Sequence, residues 1–139
     1  MRPIKFRGKD YETGKWIYGD LRQRLGFFPA IIESYPTDDG KVGYREVAVT
    51  IDTIGQFTGL RDKNGRDIYE GDILKIKGER SRLEVRFVRG VFAFLWNGNL
   101  DDEFPTCCPT HEWAVIAGNI HDNPKMIKRV ANFHYSLRL

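Results

Sequence analysis

The chain of 139 residues is poor in the residue types that carry most enzyme chemistry. It has two cysteines, and they are neighbours, Cys107 and Cys108. Adjacent cysteines rarely bond each other because the geometry is strained, and no third cysteine exists to complete a disulfide framework or a thiolate zinc site. A vicinal pair can bind a soft metal or sense oxidants; the plainer expectation is two reduced thiols in a loop. The three histidines, His111, His121 and His134, show no ligand spacing. Serines stand at 34, 81 and 136, none inside a G-x-S-x-G elbow. A Walker lysine after a glycine loop is missing, as is a G-x-G-x-x-G fingerprint. Apolar runs fall well short of the ~20 residues that cross a membrane, and residues 1–3 lead into a strand-like pattern rather than a signal sequence. The expectation is a soluble, cytoplasmic, non-enzymatic protein with no cofactor.

Helix signals are also scarce. The best is Asn123 as N-cap with Pro124 as first helical residue, and Met126, Ile127 and Val130 facing the body. What is plentiful is strand. Aromatics make up 13% of the chain and there are fourteen glycines and six prolines, which favours short strands and frequent turns. Ile4 and Phe6 alternate with Lys5 and Arg7. Trp16, Ile17 and Tyr18 follow the turn Glu12-Thr13-Gly14-Lys15. A third apolar run over residues 27–33 contains Pro29, which suggests an edge strand. Residues 36–43 form a turn-rich loop. Val47, Val49 and Ile51 alternate with polar or small neighbours, as do Leu83, Val85 and Phe87. Residues 91–96 are apolar on both faces, so this strand is either fully buried or covered by a partner on one side. Residues 113–117 form another short buried run. The pattern predicts a mainly β fold, an antiparallel sandwich or partly open barrel with a short C-terminal helix. One domain over residues 1–130 and a tail or arm over residues 131–139 fit the length.

The densest information lies in residues 53–77. Asp62-Lys63-Asn64-Gly65 ends in Asn-Gly, a strong hairpin signal because both residues tolerate positive φ. Gly71 supplies a bend or a close backbone approach, and Asp72 a side-chain bond to nearby amides. Beyond it Leu74 and Ile76 point one way, Lys75 and Lys77 the other.

These residues also carry a resemblance. IGQFTGLRDKNGRDIYEGDILK, the opening IKFRGKD, the following WIYGDL and the late GNIHDNP together resemble the YopX protein family, in its order and spacing, across about residues 1 to 130. The resemblance implies a bacteriophage or prophage origin and a bacterial host cytoplasm. It implies no activity and no catalytic residues.

Charge is uneven although the net value is only +3. Residues 91–122 hold five acids and no Lys or Arg; residues 123–139 hold four cations and no acids. Such asymmetry suits opposed faces or head-to-tail contacts. The carboxylate groups Asp38-Asp39 and Asp101-Asp102-Glu103 read as solvated turn acids.

Two surfaces follow as candidates. Lys75, Lys77, Arg80, Arg82 and Arg86 surround a strand–loop–strand segment and could contact nucleic acid, with Lys75 and Lys77 on one wet surface and Arg82, Glu84 and Arg86 on another. Glu79 and Glu84 interleave, so a mixed-charge solvated face is the rival reading. Phe92, Phe94 and Trp96 in the aromatic strand, and Phe133, Tyr135 and Leu137 in the tail, are candidates for self-association. The leading expectation is a binding or assembly protein that forms a homo-oligomer. A nucleic-acid-binding accessory role is the alternative.

Overall fold

The computed structural model describes residues 1–105 and 109–127. It divides into two compact units, Met1–Gly59 and Leu60–Leu139. Two antiparallel sheets provide the architecture, as the alternation predicts.

In the first unit the strands are β1 (Phe6–Lys9), β2 (Trp16–Arg22), β3 (Ala30–Pro36), β4 (Val42–Ala48) and β5 (Gly55–Arg61), the last running on into the second unit. Their order across the sheet is β4-β3-β2-β1-β5, with a sixth strand, Asp67–Tyr69, beside β5. Register places Ile17, Ile31, Val47 and Val49 on one face, where they pack with Phe6, Leu21 and Ile54. Pro29 does not mark an edge strand. β3 begins one residue later and lies between β2 and β4, so the missing proline N–H never enters a ladder. Its carbonyl instead accepts Val49 N–H at 3.1 Å. β4 ends at Ala48, and Ile51 belongs to a single 3-10 turn, Ile51–Thr53, rather than to the strand.

In the second unit the strands are β6 (Asp67–Tyr69), β7 (Asp72–Ile76), β8 (Leu83–Val88), β9 (Val91–Trp96), β10 (Glu103–Phe104) and β11 (Ala114–Asn119), with a one-turn helix α1 (Thr110–Trp113). The sheet order is β10-β9-β8-β7-β11. Ile68, Leu74, Leu83, Val85, Phe94 and Ala114 form its core, with Trp96, Phe104 and Trp113 packed against them. The rings of Phe104 and Trp113 lie 4.6 Å apart, and Phe94 meets Trp113 edge-on at 6.0 Å. Burial on β9 is two-sided: Ala93, Phe94 and Leu95 are all fully buried within the single chain. Phe94 therefore serves the core, while Phe92 and Trp96 are half-buried.

The Asn-Gly hairpin forms with one difference. Gly65 has φ 79°, but Asn64 is not in the left-handed region. Gly65 N–H donates to Asp62 O at 3.0 Å and Asp62 N–H to Arg66 O at 2.9 Å, so one left-handed residue suffices to close the turn. Gly65→Val should cost about 1–2 kcal/mol, since nothing lies within 4 Å of the new Cβ and only backbone strain opposes it. A chemical denaturation curve with an unchanged midpoint would contradict this. Gly71 also holds positive φ, and Asp72 accepts Tyr69 N–H at 2.8 Å, as the sequence suggests.

The helix expected from Asn123 is a single 3-10 turn, Pro124–Met126. Asn123 does not cap it. Its side-chain oxygen accepts Asn119 N–H at 3.3 Å, while Asn119 Oδ1 accepts the N–H groups of His121 and Asp122. The GNIHDNP motif is thus a self-bonded loop, with the competing side-chain bonds that turn asparagines favour. Residues 128–139 lie outside the described residues, as do Cys107 and Cys108.

Candidate functional site

An open apolar surface lies in the first unit, where the β2–β3 loop meets the β1–β2 turn and the turn after β4. Gly26 and Pro29 bracket Phe27-Phe28, and Phe27 N–H donates to Arg24 O at 3.0 Å, so this stretch is a tight loop and not strand. Ile51 is held outward by what Thr53 does. The buried Thr53 hydroxyl donates to Thr50 O at 2.6 Å and accepts Lys9 N–H at 2.8 Å, which pins the turn and turns its first residue to solvent. Tyr11 is fixed by its N–H bond to Ala48 O at 2.9 Å. The neighbouring Asp10 carboxylate accepts Glu12 N–H at 2.9 Å, and this bond lowers its pKa below the ordinary aspartate value.

Tyr11, Leu25, Phe27, Phe28 and Ile51 are 62–99% exposed. Two adjoining clefts open among them. One, of about 440 Å³, is lined by Tyr11, Gly26, Phe27, Phe28, Pro29, Val49, Thr50 and Ile51. The other, of about 450 Å³, is lined by Gln23, Arg24, Leu25, Phe27, Pro29, Ile51 and Ile54. Phe27, Pro29 and Ile51 form the ridge between them. The guanidinium groups of Arg24 and Arg22 lie 5.2 and 6.0 Å from the Phe27 ring. Arg22 is tied back by Glu46 at 2.5 Å and donates to Phe28 O at 3.2 Å. The rings of Tyr11 and Phe28 lie 6.0 Å apart. Chemically the surface is apolar with a charged rim. It is built to take up apolar side chains and holds no convergent acid–base pair.

Sequence reasoning missed this surface. Its one local signal was the Gly26…Pro29 bracket, which forbids the strand that the apolar run otherwise suggests. It also missed the basic–aromatic stack on β1 and β2, where Arg7 and Lys9 lie 4.5 and 5.4 Å from the Trp16 ring. Those three side chains have further partners, and Arg7 is buried, so the stack is not an open site.

The cations chosen from sequence are partly brought together. The pairing of Ile73 with Glu84 puts Lys75, Lys77, Arg82 and Arg86 on one face of the sheet, not on two. The centre of that face is dry: Ile73, Glu84, Ala93 and Leu95 are at most 1% exposed. Arg86 lies 3.5 Å from Glu84, and Arg82 donates to the carbonyl of Arg80 at 3.0 Å. Lys75, Lys77 and Arg80 are exposed at and beside the β7–β8 turn. Among the described residues of the second unit the exposed aromatic is Phe87, at the far end of β8 and 5.1 Å from Phe92. Phe133, Tyr135 and Leu137 lie outside the described residues.

The carboxylates behave as turn acids. Asp39 accepts the Thr37 hydroxyl and Lys41 N–H, and the hydroxyl bond lowers its pKa. Asp101 and Asp102 are exposed, and Glu103 lies 3.9 Å from Arg89. Among the described residues no three His, Cys, Asp or Glu side chains converge as a metal site would need, and no helix is long and apolar enough to cross a membrane.

The comparisons agree with this architecture. No curated protein matches the sequence. A solved structure described as the crystal structure of protein EF1440 from Enterococcus faecalis is similar at 25% identity and a TM-score of 0.56, covering 92% of this chain and 100% of that one. The model of the family described as YopX protein matches residues 5–128, and the chain belongs to that family.

Proposed function

We propose that this is a non-enzymatic binding or assembly protein of phage or prophage origin, working in the cytoplasm of a bacterial host, and that its contact surface is the double apolar cleft around Phe27. The observation that carries the reading is the exposure of Tyr11, Leu25, Phe27, Phe28 and Ile51 side by side in a turn cluster fixed by backbone bonds. A soluble surface rarely keeps so many large apolar side chains together without a use for them. The loop geometry favours contact over packing, since Thr53 holds Ile51 out and Gly26 and Pro29 hold Phe27 and Phe28 out. By contrast, among the described residues of their unit, the exposed cations at the β7–β8 turn have no exposed ring beside them, Phe87 standing at the far end of β8, and so lack there the stacking platform that single-strand binding uses.

The test is photo-crosslinking in bacterial cells. A benzophenone amino acid replaces Phe28 in one variant and Tyr44 in another; Tyr44 is an equally exposed ring on β4 that lines neither cleft. Discrete adducts from position 28 that are absent from position 44 are expected. No adduct from position 28, or the same ladder from both, would refute the reading.

A further inference from the structure

The second segment the sequence singles out is the tail, residues 131–139, ANFHYSLRL. Its odd positions from 133 onward are Phe133, Tyr135, Leu137 and Leu139, and its even positions are Asn132, His134, Ser136 and Arg138. That is a strict period of two, the pattern of an extended segment with one apolar face and one wet face. Alternate side chains on such a segment stand ~7 Å apart, a spacing suited to neighbouring hollows divided by a single ridge. The double cleft has this form, with the Phe27 ring between its halves.

Resting on the reading of that surface as a contact site, we infer that its occupant is residues 131–139 of a second copy of this chain. Three considerations support this. Among the described residues nothing covers Tyr11, Phe27, Phe28 or Ile51, which remain 62–72% exposed. The segment's docking part carries one permanent charge, Arg138, and is otherwise uncharged, which suits two clefts whose linings hold a single charged residue, Arg24. Exchange of the segment between two copies fills both clefts and closes the assembly at a two-fold pair. Two such segments together bury on the order of 1,200 Å², counting ~150 Å² for each large apolar side chain, which reaches the lower bound of a stable interface.

The experiment uses the full chain with the benzophenone residue at position 28, purified as an equal mixture of copies at natural isotope abundance and copies labelled with nitrogen-15. After irradiation, a mixed light–heavy adduct joining position 28 to residues 131–139 is expected. In parallel, the unmodified chain should sediment as a dimer at tens of micromolar, and Tyr135→Asp should sediment as a monomer with an unchanged circular dichroism spectrum. A labelled peptide of residues 128–139 should bind the Tyr135→Asp chain, and at least tenfold more weakly when Phe27→Asp is added. Adducts confined to one isotope would mean that the segment folds onto its own copy and would overturn the exchange. If the adducts formed in cells map to a different protein, the cleft remains a contact surface but its occupant is not this segment. No adduct in either setting removes both readings. Equal sedimentation of Tyr135→Asp and the unmodified chain would also overturn the inference.

Discussion

Asp62→Ala is expected to lower stability by at least about 3 kcal/mol and to move the urea midpoint down by ~2 M. Asp62 is 1% exposed, and its two carboxylate oxygens serve three backbone donors, two in its own turn and one on β11. Oδ1 accepts Asn64 N–H at 2.9 Å and Arg66 N–H at 2.8 Å, which shapes the Asn-Gly turn. Oδ2 accepts Ile116 N–H at 3.0 Å, which ties β11 to that turn. Lys63 N–H adds a parallel bond to Ala114 O at 2.8 Å. Removing the carboxylate leaves the part-buried Ile116 donor without its acceptor. The turn donors can recover water, so the Ile116 bond and the lost packing dominate the cost. Asp62→Asn keeps one oxygen and should lose less, because it can still hold either the turn or Ile116 but not both. A midpoint for Asp62→Ala within 0.3 M of the unmodified chain, an interval corresponding to roughly 0.5 kcal/mol, would show that the clamp contributes nothing.

The same aspartate shows where sequence reading reached and where it stopped. Period-two alternation located β1, β7 and β8, the preceding turn located β2, and a run apolar on both faces located β9. Turn chemistry located the Asn-Gly hairpin, Gly71 and the Asp72 bond, because those depend on neighbours within three residues. Asp62 enters the sequence reading only as the first residue of the Asn-Gly turn, since its bond to Ile116 spans 54 positions and leaves no local trace. Glu84 failed for a related reason. Its neighbours Arg82 and Arg86 suggested a wet face, yet register sets it beside Ile73 and Leu95, which are fully buried. Pairing register, not alternation, decides which wet-looking strands share a face. The late helix shrank to one turn because Asn123 spends its side chain on Asn119 rather than on capping. The apolar cleft needs residues near positions 11, 28 and 50 to meet, and only the sheet order brings them together.

Gly19→Ala should be more damaging than Gly65→Val, even though alanine is the smaller addition. Gly19 stands inside β2, between two neighbours. It is the last residue of β2 paired to β1, opposite Phe6, and the next residue, Asp20, is the first paired to β3, opposite Ile32. Its φ is 157°. A Cβ built there would overlap the carbonyl oxygen of Ile32, with the Ile32 carbonyl carbon at 2.9 Å and Ile31 Cγ2 at 3.3 Å. The obstacle is backbone, so no side-chain rotation relieves it. β2 and β3 must separate, or the handover from β1 to β3 must shift and expose Ile31, which is fully buried in the first unit's core. The cost should be about 3 kcal/mol or more, against the 1–2 kcal/mol of pure backbone strain at Gly65. For a chain of this length that is a fall in Tm of about 10 °C. The glycine of the WIYGDL motif is then a packing requirement between strands and not a hinge or a ligand contact. Thermal unfolding followed by circular dichroism tests it. A Gly19→Ala chain that melts within 2 °C of the original, an interval worth under about 1 kcal/mol, would mean that β3 does not lie against β2 at this position.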